Sequence, residues 1–303
     1  MKSFLYRAAT RVSIGLLHGV LLLLSFSVQA IDVVDDSQRV TRLKNPAQRI
    51  ISLAPHTTEL LFEVGAGDKI IGVVKYSTYP PAAKNIPRVG GYKKLDLERI
   101  VGMKPDLIVA WQTGNQPAEM SRLQELGLNI FYTEPRHLQD IASLLRRLGK
   151  LTGTEQQADQ AADKFMRDYH LLQTSYHNRK TLRAFYQIWD KPLMTVNDEH
   201  LISDVMKLCG LENVFGDLDN LVPRINEEAV IRADPQIIIA GGISKVKPEW
   251  KSQWQRWDDL SATRLHALIE INPDIIQRHS SRILLGAKQL CEKADEVRVH
   301  FKQ

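Results

Sequence analysis

Residues 152–180, TGTEQQADQAADKFMRDYHLLQTSYHNRK, are polar and dense in strong helix formers, and they lie midway between two stretches of different texture. With Thr152 or Thr154 as its cap, this stretch predicts one uninterrupted helix over 154–178. A helix of about 24 residues measures about 36 Å, comparable to the width of a small domain. A rod of that length cannot fold back inside either half. It predicts two globular halves held at a fixed separation.

On both sides of the rod, apolar runs alternate with helical patterns. RIISLA (49–54) reads as a strand and TTELLFEVGAG as a helix, with Thr57 or Thr58 as a cap and Gly65 and Gly67 at its end. DKIIGVV, DLIVAW and NIFYTE read as further strands, separated by LDLERIVGMK and EMSRLQELGL as helices. After the rod come TLRAFYQIW, HLISDVMKLCG, NEEAVIRADP, QIIIAGG, RLHALIEIN and a last helix ending near Val297. Regular alternation of this kind predicts the α/β class: two Rossmann-like lobes with parallel central sheets, joined by one long rigid helix. The expected units are a leader at 1–30, a first lobe at 31–153, the helix at 154–178 and a second lobe at 179–303.

The halves also share a pattern. LDLERIVGMKPDLIVAW (95–111) and INEEAVIRADPQIIIAG (225–241) each place a Glu seven residues before a Pro that opens an apolar strand. Glu98 and Glu228 are the two acids. An internal repeat of this kind argues for two similar lobes.

The first 30 residues read as a secretory leader. Lys2, Arg7 and Arg11 precede an apolar run, and VQA puts small residues before a cleavage point after Ala30. The alternative, a single membrane anchor, needs a longer run than this one, which His18 interrupts. No Cys stands near the cleavage point to carry a lipid. Removing the leader leaves 37 basic against 35 acidic residues, so the mature chain is close to neutral. Neither that balance nor any basic, aromatic-laced run supports nucleic-acid binding. Cys209 and Cys291 both fall in the exported part, and an even count in an oxidising compartment suggests one disulfide; two buried thiols are the alternative.

No GxSxG, HExxH, Walker A or GxGxxG occurs. The histidines beyond the leader are scattered, with no pair at i, i+4, and read singly as surface or core. An exported enzyme with an unmarked site is the weaker reading; a binding protein is the stronger. In open parallel sheets, ligands sit beyond the carboxyl ends of the strands. The loops expected there carry Pro55, Trp111, Asp274, Arg278 and the aromatic stretch VVKYSTYPP (73–81). Prolines stiffen that stretch, and a tyrosine such as Tyr76 offers a broad apolar face with a polar tip. The combination suits a large, flat, amphipathic ligand.

RIISLAPHTTELLFEVGAGDKIIGVVKYSTYPP, LDLERIVGMKPDLIVAW and SSRILLGAKQLC together resemble the periplasmic solute-binding proteins with a rigid interlobe helix, which serve ABC importers for siderophores, haem and vitamin B12. KYSTYPP, NPDIIQRHSSRI and the Cys pair are most similar to the cobalamin branch of that family. The resemblance implies that cobalamin is the transported ligand, with no cofactor and no catalysis. It implies that Tyr76 meets the corrin face and that Asp274, Ile275, Ile276, Gln277 and Arg278 form the contact segment of the other lobe. Tyr92 stands where the branch tends to show Trp, and Trp111 matches an aromatic. Cys209 and Cys291 match the branch's disulfide. Glu98 and Glu228 match carboxylates that dock on arginines of the permease, in a complex of permease and ATPase reached from the periplasm by a monomer. The chain departs from the branch at Ile275, Ile276, Val222 and Ile188, which are aliphatic where aromatics are usual. Haem or a ferric siderophore is the alternative ligand, but a siderophore site wants several arginines and this set offers chiefly Arg278. The stiff rod further predicts closure by only a few degrees on binding.

Overall fold

The computed structural model describes residues 30–91, 93–241 and 249–300. The leader, apart from Ala30, and the candidate Tyr92 lie outside the described residues. The first lobe opens with an antiparallel hairpin of β1 (Ile31–Val34) and β2 (Val40–Leu43). It continues through β3 (Ile50–Ser52), α1 (Pro55–Glu63), β4 (Ile70–Val73), the short pair β5 (Gly90–Gly91) and β6 (Lys94–Leu95), α2 (Leu97–Gly102), β7 (Leu107–Trp111), α3 (Pro117–Glu125) and β8 (Ile130–Thr133). Two helices follow, α4 (Leu138–Thr152) and α5 (Glu155–Tyr176). The second lobe runs through β9 (Leu182–Gln187), α6 (Leu201–Leu208), β10 (Leu211–Asn213), α7 (Glu227–Ala233), β11 (Ile237–Ala240), α8 (Glu249–Gln255), α9 (Ser261–Arg264), β12 (Leu268–Glu270), α10 (Pro273–Ile276) and α11 (Ile283–His300).

Each lobe is built on a four-stranded parallel sheet, ordered β4-β3-β7-β8 in the first and β10-β9-β11-β12 in the second. Counted from the first strand of each sheet, both orders are 2-1-3-4. The central strands are mostly apolar and buried, as strands covered on both faces should be, with Arg183 of β9 the exposed exception. The internal repeat maps onto this equivalence. Helix α2 leads into the third strand of its sheet, and α7 does the same in the other lobe.

Local chemistry sets the helix ends. Helix α1 begins at Pro55, two residues before the expected threonine caps, because proline's fixed φ suits the first helical position. Thr57 works from inside the first turn instead, where its Oγ1 accepts from the Ala54 amide at 3.2 Å. Helix α5 is unbroken over 22 residues, about 33 Å, a little shorter than expected from the sequence. Thr154 precedes it, but its hydroxyl pairs with Thr152 at 2.8 Å rather than with a helix amide.

The rod does not stand alone. Helix α4, which the alternation of strands did not single out, packs against it after a tight turn at Gly153, whose φ is 68°. The two helices come so close that a Cβ at Gly149 would lie 2.3 Å from the Cβ of Ala158. Ala158, Ala162, Phe165 and Tyr169 of α5 belong to one continuous apolar core that reaches into both lobes. Two smaller clusters cover the outer faces of the sheets, one around Ile108 and one around Trp254. The Cys209–Cys291 disulfide (S–S 2.00 Å) joins the end of α6 to α11 across 82 residues, a loop whose closure contributes about 4 kcal/mol in the chain-entropy account.

One buried carboxylate fastens the lobes directly. Glu59 of α1 is 4% exposed. It accepts from Arg278 at 2.6 Å, Ser280 at 2.6 Å and Arg282 at 3.1 Å, all from the second lobe. Removing one partner of a buried ion pair typically costs about 3–5 kcal/mol, because the other charge is stranded. Glu59→Ala should therefore lower the unfolding free energy of the full chain, from urea titration, by an amount on that scale. A free energy within about 0.5 kcal/mol of the parent would mean that the bridge carries no net stability.

Candidate functional site

Within each sheet the chain runs out in opposite directions from its first and third strands, so the switch points lie between β3 and β7 and between β9 and β11. Clefts form beyond the carboxyl ends of strands at such points. A cavity of about 310 Å³ lies between the lobes there. Pro55 and His56 follow β3 in sequence, Trp111 ends β7, Ile188 follows β9, and Pro273, Asp274, Gln277 and Arg278 follow β12; all line the cavity together with Tyr76, His200 and His279.

Five of the candidates named for the second lobe divide. Asp274, Gln277 and Arg278 line the cavity. Ile275 and Ile276 do not: they are 7% and 0% exposed and pack into the shared core, so their side chains support the segment rather than face a ligand. Helical spacing within α10 explains the division, since neighbouring positions on so short a helix point to different sides. Gln277 is held by Nε2 donating to Tyr186 Oη at 3.3 Å and to the Gly241 carbonyl at 3.4 Å.

Tyr76 stands 74% exposed at the rim. Its φ is 67°, left-handed backbone that costs a non-glycine residue about 1 kcal/mol or more. The surrounding loop holds it there. Lys75 N–H donates to Gly90 O at 2.9 Å, the Thr58 hydroxyl donates to Ser77 Oγ at 3.1 Å, and Arg278 reaches across the lobes to the Tyr76 carbonyl at 3.2 Å. Tyr79, the other tyrosine of this loop, is turned away from the cleft and lies under the Arg282 guanidinium, 4.0 Å from the ring centroid. Trp111 is oriented from several sides. Its Nε1–H donates to Glu134 at 3.3 Å, and its amide donates to Asn115 at 2.7 Å. Gly114 makes room for the ring, since a Cβ there would lie 1.9 Å from Trp111 Cε3.

Three histidines that read singly in the sequence meet on the cavity floor. His56 comes from the first lobe, and His200 and His279 from the second. The ring centroids of His279 lie 5.4 Å from those of both His56 and Trp111 and 5.5 Å from that of His200. Spacings of 144 and 79 residues carry no motif, so only the fold brings them together. All three are at most 4% exposed. His200 Nδ1 accepts from the Ile202 amide at 3.1 Å at the start of α6, which assigns its proton to Nε2. His56 Nε2 and His279 Nδ1 are buried without a hydrogen-bond partner among the described residues.

Burial holds all three imidazoles neutral. Desolvation, with His279 and then Arg278 nearby, pushes His56 well below the usual imidazole range. Desolvation, His279 and Arg136 do the same for His200. Desolvation and Arg136 lower His279 to about 4. Arg278 is the guanidinium on the cavity wall, and it is fully engaged by Glu59 at 2.6 Å, Asp274 at 2.8 Å and the Tyr76 carbonyl. The described walls therefore combine aromatic faces with neutral donors and an internally paired cation.

Depressed imidazole pKa values link stability to pH with a definite sign. The unfolded histidines take up protons below about pH 6.5, while the folded ones do not until the pH reaches their lowered values. Stability should therefore fall as pH drops from about 6.5 toward 4, with His279 alone accounting for on the order of 3 kcal/mol by the lower end. Urea unfolding at pH 7.5 and pH 4.5 should show a smaller loss in His279→Leu than in the parent. Equal losses would rule out this imidazole as a source of acid sensitivity.

Residues 50–281 match the family described as periplasmic binding protein. The vitamin B12-binding protein of Yersinia pestis is 38% identical over 255 residues, which cover 83% of this chain and 88% of the relative. The crystal structure of the periplasmic vitamin B12 binding protein BtuF of Vibrio cholerae superposes with a TM-score of 0.77 at 34% identity, spanning 85% of this chain and 99% of that one. The haem-binding protein RhuT of Roseiflexus sp. RS-1 superposes with a TM-score of 0.73 at 18% identity over 83% of this chain and 99% of its own, a likeness of fold alone.

Proposed function

Since the chain belongs to the periplasmic binding protein family, we propose that it captures cobalamin in the interlobe cleft and delivers it to an ABC importer of the inner membrane. The family carries solutes rather than converting them, so catalysis is no part of the reading. The observation that carries the choice of ligand is the charge state of the cleft. Its arginine is engaged by two carboxylates and a carbonyl, and its imidazoles are neutral. A corrinoid, flat and fringed with uncharged amides, suits such walls. Haem and ferric siderophores bring anionic groups that would find no unengaged cation among the described cavity residues.

In this reading Tyr76 and Trp111 offer faces to the macrocycle, Pro55 adds an apolar edge, and Asp274, Gln277 and His200 hydrogen-bond the fringe. Arg278 acts through its neighbours, holding Tyr76 in place. The unbroken α5 and the shared core favour closure by only a few degrees. Calorimetry with cyanocobalamin should give 1:1 binding with Kd well below micromolar. Tyr76→Ala and Trp111→Ala should each weaken it roughly tenfold, the scale of one lost aromatic contact. No heat with cobalamin, together with a Soret band on adding haemin, would move the assignment to haem.

We further infer that Glu98 and Glu228 dock the loaded protein on the permease, after export through a cleaved leader and as a monomer. Each is exposed at the second position of a short helix, α2 or α7, and the helices are equivalent by sheet order. Asp96 and Asn226 cap them alike, accepting from the Arg99 amide at 3.0 Å and the Ala229 amide at 2.9 Å. The caps and the helix dipole account for acids at such positions, and two matched acids on two lobes suit a partner with two basic pockets. Such pairs guide encounter more than they add affinity. The double variant Glu98→Ala/Glu228→Ala should bind cobalamin as the parent does and yet support much slower cellular uptake. Unchanged uptake would dismiss the docking role.

A further inference from the structure

A second cavity, of about 470 Å³, opens farther along the lobe seam. His56 and Glu63 are seven residues apart on α1, about 10 Å, and Glu59 stands between them. The front cleft lies at the His56 end and this cavity at the Glu63 end. Its walls are Phe62 and Glu63 of α1, Phe165 of α5, Tyr79 and Pro80 from the aromatic loop, and Leu285 of α11. Leu285 is 55% exposed and Tyr79 44%, so the mouth is apolar and open to solvent.

The charges on these walls do not balance. Lys164 pairs with Asp168 at 2.5 Å, and Arg282 pairs with Glu59 at 3.1 Å while covering the Tyr79 ring. That leaves Glu63, with no ion pair among the described residues. It is the last residue of α1, where the helix dipole favours a cation over a carboxylate. Burial pushes its carboxyl above the usual range. Ser281 and Lys164 oppose that shift and the Glu59 charge adds to it. The buried Ser281 hydroxyl lies beside Glu63, toward which it is a weak hydrogen-bond donor, and has no closer partner among the described residues. A part-buried carboxylate, backed by the Ser281 hydroxyl, thus borders a pocket of aromatic and aliphatic side chains, within the size range of small-molecule sites.

We propose that this rear cavity is a second ligand site, taking an amphipathic ammonium compound: a primary amine on a compact apolar body. The ammonium group bonds to Glu63, and the body lies against Phe62, Phe165 and Leu285. Nothing in the site needs the front cleft to be filled, and its occupant does not compete with the cleft ligand.

The probe is 2-phenylethylamine, titrated into the full mature chain and followed by calorimetry and by the Glu63 side-chain carboxyl resonance. Saturable binding is expected, with the Glu63 pKa falling as amine is added and affinity rising as pH passes upward through that pKa. Uncharged 2-phenylethanol and anionic phenylacetate should bind at least roughly tenfold more weakly, the scale of one charged hydrogen bond. Glu63→Gln should lose a similar factor, and saturating cyanocobalamin should leave the amine in place. Displacement by cobalamin, equal binding of amine and alcohol, an unmoved Glu63 resonance, or no saturation at millimolar amine would each overturn the proposal. The resonance readout uses the parent protein, so it stands even if the variant folds poorly.

Discussion

The arrangement turns on a single buried carboxylate. Glu59 takes three hydrogen bonds from the opposite lobe, two of them from guanidinium groups, in a place almost closed to water. Arg278 then extends the connection to Asp274 and to the carbonyl of Tyr76. The same contact that ties the lobes therefore also positions the aromatic rim. It removes a free positive charge from the cleft as well, and so bears on which ligands the cleft can hold. Buried charges are tolerated only when paired and fully hydrogen-bonded, and the serine completes that requirement here.

Much of the fold was legible because it follows from periodicity. The short, β-branched apolar run QIIIAGG, bounded by Pro235 and glycines, reads as a covered strand, and the long polar run after Gly153, rich in helix formers, reads as a helix. The boundaries were less so. Pro55 started α1 ahead of the threonines, because proline's preset backbone competes with a side-chain cap for the first turn. Helix α4 has apolar residues at helical spacing in HLQDIASLLRRLGKLT, but it breaks the strand–helix alternation by leading into a second helix rather than a strand. Its packing on α5 is what turns a bare connector into part of a core.

The site was legible in part, for a different reason. Tyr76, Trp111, Pro55, Asp274, Gln277 and Arg278 could be placed from loop positions and family likeness, and the structure gathers them around one cavity. Ile275 and Ile276 belong to the contact segment that the family resemblance implies, yet a short helix turns neighbouring side chains to different faces. The histidine group had no local signature at all. His56, His200 and His279 meet only because two lobes fold together, and an imidazole's neutrality depends on burial that no spacing reveals.

The matched strand orders bear on how the molecule presents itself to a receptor. Its two ends are variants of one design, each offering a short helix with an acid at the same position. A receptor with twofold symmetry would meet the same pair of acids in either of two polarities, head left or head right. Any preference between them must come from what differs between the lobes. On the proposed docking, a bound ligand without symmetry of its own would face such a receptor in two presentations related by a half-turn.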